Sequence, residues 1–154
     1  MTIDARLASL GITLPQTAAT FGAYVPAVAS GSLLFVSGQL PARDGKVAYV
    51  GKVGKDLTLE QGQEAAKLAL VNALAVVKAQ LYTLDRVTRI VRMAGYVNSA
   101  PGFTDQPRVL NAASELLVQV FGEHGRHARL ALGASELPLN AAVELELIVE
   151  FTRH

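Results

Sequence analysis

Cysteine is absent from the 154-residue chain, which removes disulfides, thiolate metal sites and cysteine nucleophiles together. Long apolar runs are scarce. The longest, LALVNALAVV at 68–77, lies between Lys67 and Lys78 and is about half the roughly 20 residues a membrane-spanning helix needs. An excess of one charge sign is also lacking: 14 Lys and Arg against 13 Asp and Glu leave a net charge of +1, and no segment gathers the basic residues. Nucleic-acid binding, which needs a field that collects phosphates, is therefore not expected. The opening MTIDARLASLGITLPQ carries acid and has no continuous apolar core behind a basic start, unlike a signal peptide. A cytoplasmic location without a membrane partner is the expectation. With 51% hydrophobic and 18% charged residues and no polar low-complexity tract, the composition is globular. Residues 1–154 are expected to form one domain.

The elements follow from pattern. Thr2 can cap a short helix with Ile3, Leu7 and Leu10 inward and Gly11 as its stop. SLLFVSGQLP reads as a buried strand, and DGKVAYVG reads as its hairpin partner behind an Asp44-Gly45 turn. Thr58 and Gln61 stand in capping-box spacing before a helix to Leu81, with Ala66, Leu70, Ala73, Leu74, Val77 and Leu81 on one face. RVTRIVRMAGYVNS favours a strand. TDQPRVLNAASELLVQVFG favours a helix closed by Gly122. Residues 127–151 read as two alternating strands joined by a proline turn. Two amphipathic helices can cover only one face of the resulting α+β sheet.

On the last strand Val143, Leu145, Leu147, Val149 and Phe151 share one side, while Glu144, Glu146 and Glu150 share the other. On the strand before it, Arg129 alternates with Leu130 and is expected on the helix-free side. If those two strands are neighbours, cation and carboxylates share a surface. That surface is either a solvated face with ordinary ion pairs, each contributing about 0 to 1 kcal/mol, or a subunit contact where Arg129 holds a ligand carboxylate in a bidentate grip.

The ordered segments YVPAV, LLFVSGQLP, GKV, GYVNS, NAASELL, FGEHGRHAR and ELPLNAAVELELIVE, over about residues 20 to 152, resemble the reactive intermediate deaminase (Rid, YjgF-type) superfamily, also described as L-PSP endoribonucleases. The resemblance implies a Bacillus-type chorismate mutase-like fold: a mixed sheet with two long helices on one face, and three copies packing their sheets into a central barrel with ligand clefts between neighbours. It implies hydrolysis of enamines and imines of 2-keto acids, such as the 2-aminoacrylate released by pyridoxal phosphate enzymes, to the keto acid and ammonia, with no cofactor and no metal. Carried over, Arg129 would bind the substrate carboxylate and Glu144 would position or activate water. Tyr24, Ser37, Gly38, Gln39 and Asn111 would line the cleft, with Arg126 as a reserve anion binder. Residues 1–19 are an extra N-terminal helix and linker relative to compact members. Ala23 and Ala131 depart from the residues many members carry there, which points to a divergent branch.

Two other readings stand beside this one: a non-catalytic binder of small carboxylates or regulatory partner on the same cleft, and ribonuclease action, which near-neutral charge argues against. His124 and His127 lack the spacing and third ligand of a zinc site. His124 fits a role at the helix C-terminus, and His127 with Arg126 fits the cleft rim. VGKVGKD has neither P-loop spacing nor a following Ser or Thr.

Overall fold

The structure is a computed structural model that describes residues 1–17, 20 and 22–154. The end of the expected N-terminal linker, at 18 and 19, lies outside the described residues. Helix α1 (Ile3–Ser9) begins at Thr2, whose hydroxyl accepts from the Ala5 amide at 3.1 Å. Helix α2 (Leu59–Leu81) carries the capping box in full: Gln61 N–H donates to Thr58 Oγ1 at 3.1 Å and Thr58 N–H donates to Gln61 Oε1 at 2.8 Å. Its inward stripe is the expected one, all buried. Helix α3 (Gln106–Phe121) starts with a proline in its first turn, where the missing N–H costs nothing, and ends at Gly122, φ 62°. α1 is tied to this pair through Asp4 to Lys78 and through Arg6 to the Gln119 carbonyl.

Both long helices lie on one face of a mixed five-stranded sheet of order β1-β2-β7-β5-β6, made of β1 (Ala27–Ser30), β2 (Leu33–Gln39), β5 (Val87–Asn98), β6 (Ala128–Ala134) and β7 (Val143–Phe151). Two expectations need correction. The hairpin partner of β2 is β1, not the 44–51 segment. Residues 42–47 make only a separate two-stranded ladder, β3 (Ala42–Arg43) with β4 (Lys46–Val47), about the Asp44-Gly45 turn. The final two strands are not neighbours either: β5 lies between them, antiparallel to β7 and parallel to β6. Because α3 carries the chain from β5 to β6, the crossover favours a parallel pair over a hairpin.

Registers assign the faces. Ala27, Val36, Leu147, Met93 and Arg129 form one row across the sheet, and Val36, Leu147 and Met93 of this row are buried beneath the helices. Val28, Phe35, Ile148, Arg92 and Ala128 form the row on the opposite face, where Val28 and Phe35 remain exposed. A bulge between Ile90 and Arg92 lets both Ile90 and Met93 turn into the core. At the far end of β5 the buried Asn98 side chain donates to Asn140 Oδ1 and the Ala141 carbonyl and accepts from Lys52 Nζ, fastening the β6–β7 connection.

Candidate functional site

Arg129 pairs in register with Met93 of the core, so it stands on the helix side of edge strand β6. This overturns its expected place on the helix-free face beside the glutamates. The alternation holds but the faces are reversed: Leu132, in register with Tyr96, is the exposed side chain on the helix-free face, and Arg129 lies on the helix side. Its guanidinium meets α3 instead. Nη1 donates to Asn111 Oδ1 at 2.8 Å and to Ser114 Oγ at 3.2 Å. Among the described residues Nε and Nη2 have no hydrogen-bond partner and the side chain makes no ion pair with an acid, and Arg129 lines a cleft of about 610 Å3. Asn111, Ser114, Glu115 and Val118, at helical spacing on α3, form one wall; Arg126, His127 and Arg129 form the other.

Arg126 lies at the rim, where its Nε donates to Glu123 Oε1 at 3.3 Å. His127 goes deeper than a rim residue. Its Nε2 lies 2.9 Å from Ser114 Oγ and its Nδ1 lies 2.6 Å from the Gly125 carbonyl oxygen. That carbonyl can only accept, so Nδ1 carries the proton and Nε2 accepts from the serine hydroxyl.

Glu144 lies elsewhere. It pairs with Tyr96 on the helix-free face, next to the bulge that breaks the β2 register between Val36 and Gln39. Gly38 in this bulge leaves room for the Glu144 carboxylate, which a Cβ there would displace. Burial raises the Glu144 pKa above the ordinary carboxylate value, and the charge of Glu146 adds to the rise. Tyr24, Ser37, Gly38 and Gln39 line a second cleft of about 440 Å3, shared with Asn72 and Leu139. Ser37 Oγ donates to the Val25 carbonyl at 2.7 Å, and Gln39 Nε2 to the Ser37 carbonyl at 3.1 Å. Tyr24 is 53% exposed, too open for a core aromatic.

The predicted residues thus form two groups: Arg129, Asn111 and Arg126 beside α3, and Tyr24, Ser37, Gly38 and Gln39 around the β2 bulge near Glu144. Arg129 and Glu144 differ by three positions along β5 and by two strand spacings, roughly 10 Å in each direction, on opposite faces.

Compared with known proteins, residues 4–151 match the family described as "YjgF/chorismate_mutase-like, putative endoribonuclease". The chain belongs to the YjgF/chorismate mutase-like family. Within it, the chain is 46% identical to Protein TCP17 of Trypanosoma cruzi over 149 residues, 96% of this chain and 93% of that one. It superposes on Atu1372 from Agrobacterium tumefaciens, a crystal structure of unknown function, with a TM-score of 0.91 and 48% identity, over 97% of this chain and 92% of the other. A crystal structure from Shewanella oneidensis under the same endoribonuclease label gives 0.95 and 38%, over 98% of this chain and 100% of the other. The mixed sheet backed by two helices is the family fold, as the sequence resemblance implied. Ser114 is the cleft residue of this YjgF/chorismate mutase-like chain that the sequence reading missed. Its signal was available: it stands three residues after Asn111, on the same helix face.

Proposed function

We propose that the protein hydrolyses enamines and imines of 2-keto acids, such as 2-aminoacrylate, to the keto acid and ammonia, without a cofactor. The observation that carries this reading is the open edge of Arg129. A cleft-lining guanidinium fixed through Nη1 by two neutral groups, with Nε and Nη2 unpaired among the described residues, is prepared for a bidentate carboxylate grip. An enamine such as 2-aminoacrylate first takes a proton at carbon 3, its C=C pair forming the new C–H bond and the nitrogen lone pair forming C=N, so that the carbon next to the carboxylate carries the C=N bond. Water oxygen adds to this carbon as the π electrons move to nitrogen; nitrogen takes a proton and leaves as ammonia while the new hydroxyl loses its proton to give the ketone. An iminium carbon is already electrophilic, so this sequence asks for orientation and proton transfer more than a strong nucleophile. Glu144, with its raised proton affinity, suits the proton transfers.

For Glu144 to face Arg129, the two groups of residues must come from different copies. Val28, Phe35 and Leu132, each more than two-fifths exposed on the helix-free face, support an assembly that covers that face. We infer a homotrimer with its sheets turned inward and the clefts between copies.

The test is to generate 2-aminoacrylate with a dehydratase and follow its loss by absorbance. The wild type should accelerate the loss. Arg129→Ala should lower kcat/KM by about 10- to 150-fold, since hydrogen bonds to a charged group contribute about 1.5–3 kcal/mol. No acceleration over several amino-acid-derived imines refutes the activity; an unaffected Arg129→Ala variant refutes the clamp.

A further inference from the structure

Behind the Arg129 guanidinium three residues have donor and acceptor roles that fix one another. Gly125 is buried against α3: a Cβ on it would collide with the Leu117 carbonyl and lie 3.0 Å from Val118 Cα. Its own carbonyl is thereby set in place, and because that oxygen can only accept, the His127 proton resides on Nδ1 at 2.6 Å. In the neutral imidazole Nε2 then accepts, and the Ser114 hydroxyl gives it its single proton at 2.9 Å. Ser114 Oγ is left with lone pairs only. One of them takes an Nη1 proton of Arg129 at 3.2 Å, while Asn111 Oδ1 takes the other Nη1 proton at 2.8 Å. Two acceptors on one amino group of a planar, rigid fork fix its plane.

We propose that Gly125, His127 and Ser114 form a positioning chain that locks the rotation of the Arg129 guanidinium and so holds Nε and Nη2 ready for a ligand carboxylate. The ligand half of this inference rests on the reading of Arg129 as a carboxylate clamp; the lock itself does not. The chain acts through Arg129 and takes no part in the proton transfers. Without the Ser114 oxygen, Nη1 keeps Asn111 alone, about which the fork can swing. Without the His127 acceptor, the Ser114 hydroxyl turns to a carbonyl of the preceding helical turn, as serines inside helices do, and its lone pairs leave the arginine. A fork that is already held loses less freedom when a carboxylate arrives, so the lock appears as affinity.

The experiment is nitrogen-15 NMR of the Arg129 side chain, its signals identified by their absence from Arg129→Ala. Thermal stabilisation by 2-ketobutyrate and the 2-aminoacrylate assay are measured beside it. In the wild type the Nη1 and Nη2 signals should be resolved from each other, because the two bonds stop rotation about Nε–Cζ. In Ser114→Ala and in His127→Phe they should merge. Each variant should bind 2-ketobutyrate about 3- to 10-fold more weakly, the worth of one hydrogen bond, and should raise KM by that factor with kcat within about 2-fold of wild type. The double variant should be no weaker than Ser114→Ala, since the two residues act in series, and Ser114→Ala should lower kcat/KM no further once Arg129 is alanine. Merged signals in the wild type overturn the proposal, as do signals that stay resolved in either variant. A Ser114→Ala effect that persists undiminished beside Arg129→Ala also overturns it, because the serine would then act on its own. Resolved signals lost in both variants of a protein that neither binds 2-ketobutyrate nor removes 2-aminoacrylate would sink the clamp and leave the lock standing.

Discussion

Gly95 sits on β5 directly beneath α3, and the placement of the whole Arg129 cleft depends on it. A Cβ at this position would lie 2.6 Å from Leu110 Cγ, against about 3.5–4.0 Å for an ordinary carbon contact. The obstacle is the branch point of a fully buried side chain, not a flexible tip. Gly95→Ala therefore has to lift α3 by about 1 Å or force Leu110 off its rotamer, at a cost of about 1–3 kcal/mol. At about 2–4 °C per kcal/mol for a chain of this size, the melting temperature should fall by about 2–12 °C. Asn111 follows Leu110, so the same shift opens the 2.8 Å bond from Arg129, and a misplacement of about 1 Å can cost about 100-fold in rate. Calorimetry of Gly95→Ala, Leu110→Ala and the double variant separates this from general damage. Leu110→Ala alone should cost about 2–5 kcal/mol, and the double variant should cost less than the sum by at least about 0.5 kcal/mol, because the methyl then occupies vacated space. Strict additivity, or a Gly95→Ala variant that melts with the wild type, would refute the close approach as the reason for glycine.

Glu144→Gln should melt higher than the wild type near neutral pH: a carboxyl whose folded pKa is raised contributes stability below its unfolded value, about 4.3, and loses it as pH rises through the folded one. The difference should vanish toward about pH 4, and a variant that melts lower at neutral pH would contradict the burial cost. Arg129→Ala and Glu144→Gln proteins, each of low deaminase activity alone, should regain about a quarter of wild-type activity when unfolded and reassembled together in equal amounts, since that share of clefts receives both intact residues from two copies. Mixtures no more active than their components would place both residues in one chain's site.

The helices were legible because their signals are local. The capping box at Thr58 and Gln61 and the Gly122 stop depend on residues within one turn, and both stand in the structure. The errors in the sheet are errors of pairing, which is not local. β1 escaped notice since only Ala27 of its four residues is buried, leaving no alternation to read. The tract from 127 to 151 invited a hairpin because both runs alternate, yet the order of β5, α3 and β6 already contained the competing answer. A strand, a helix and a strand favour a parallel pair, and that pair occupies one edge of β5 while β7 takes the other.

The face on which β6 presents Arg129 decides the chemistry the residues can share. On the helix-free face Arg129 would have lain with the glutamates and its charge would have been spent on them. In the row of Met93 the arginine instead stands under α3, where among the described residues its guanidinium bonds the neutral Asn111 and Ser114. Glu144 stays on the face without helices, where burial raises its proton affinity and Glu146 adds to the rise, beside a glycine that leaves room for its carboxylate. Oppositely charged groups kept on opposite faces cannot neutralise one another within a chain. A small carboxylate-bearing molecule held between two copies is the kind of ligand that would use both.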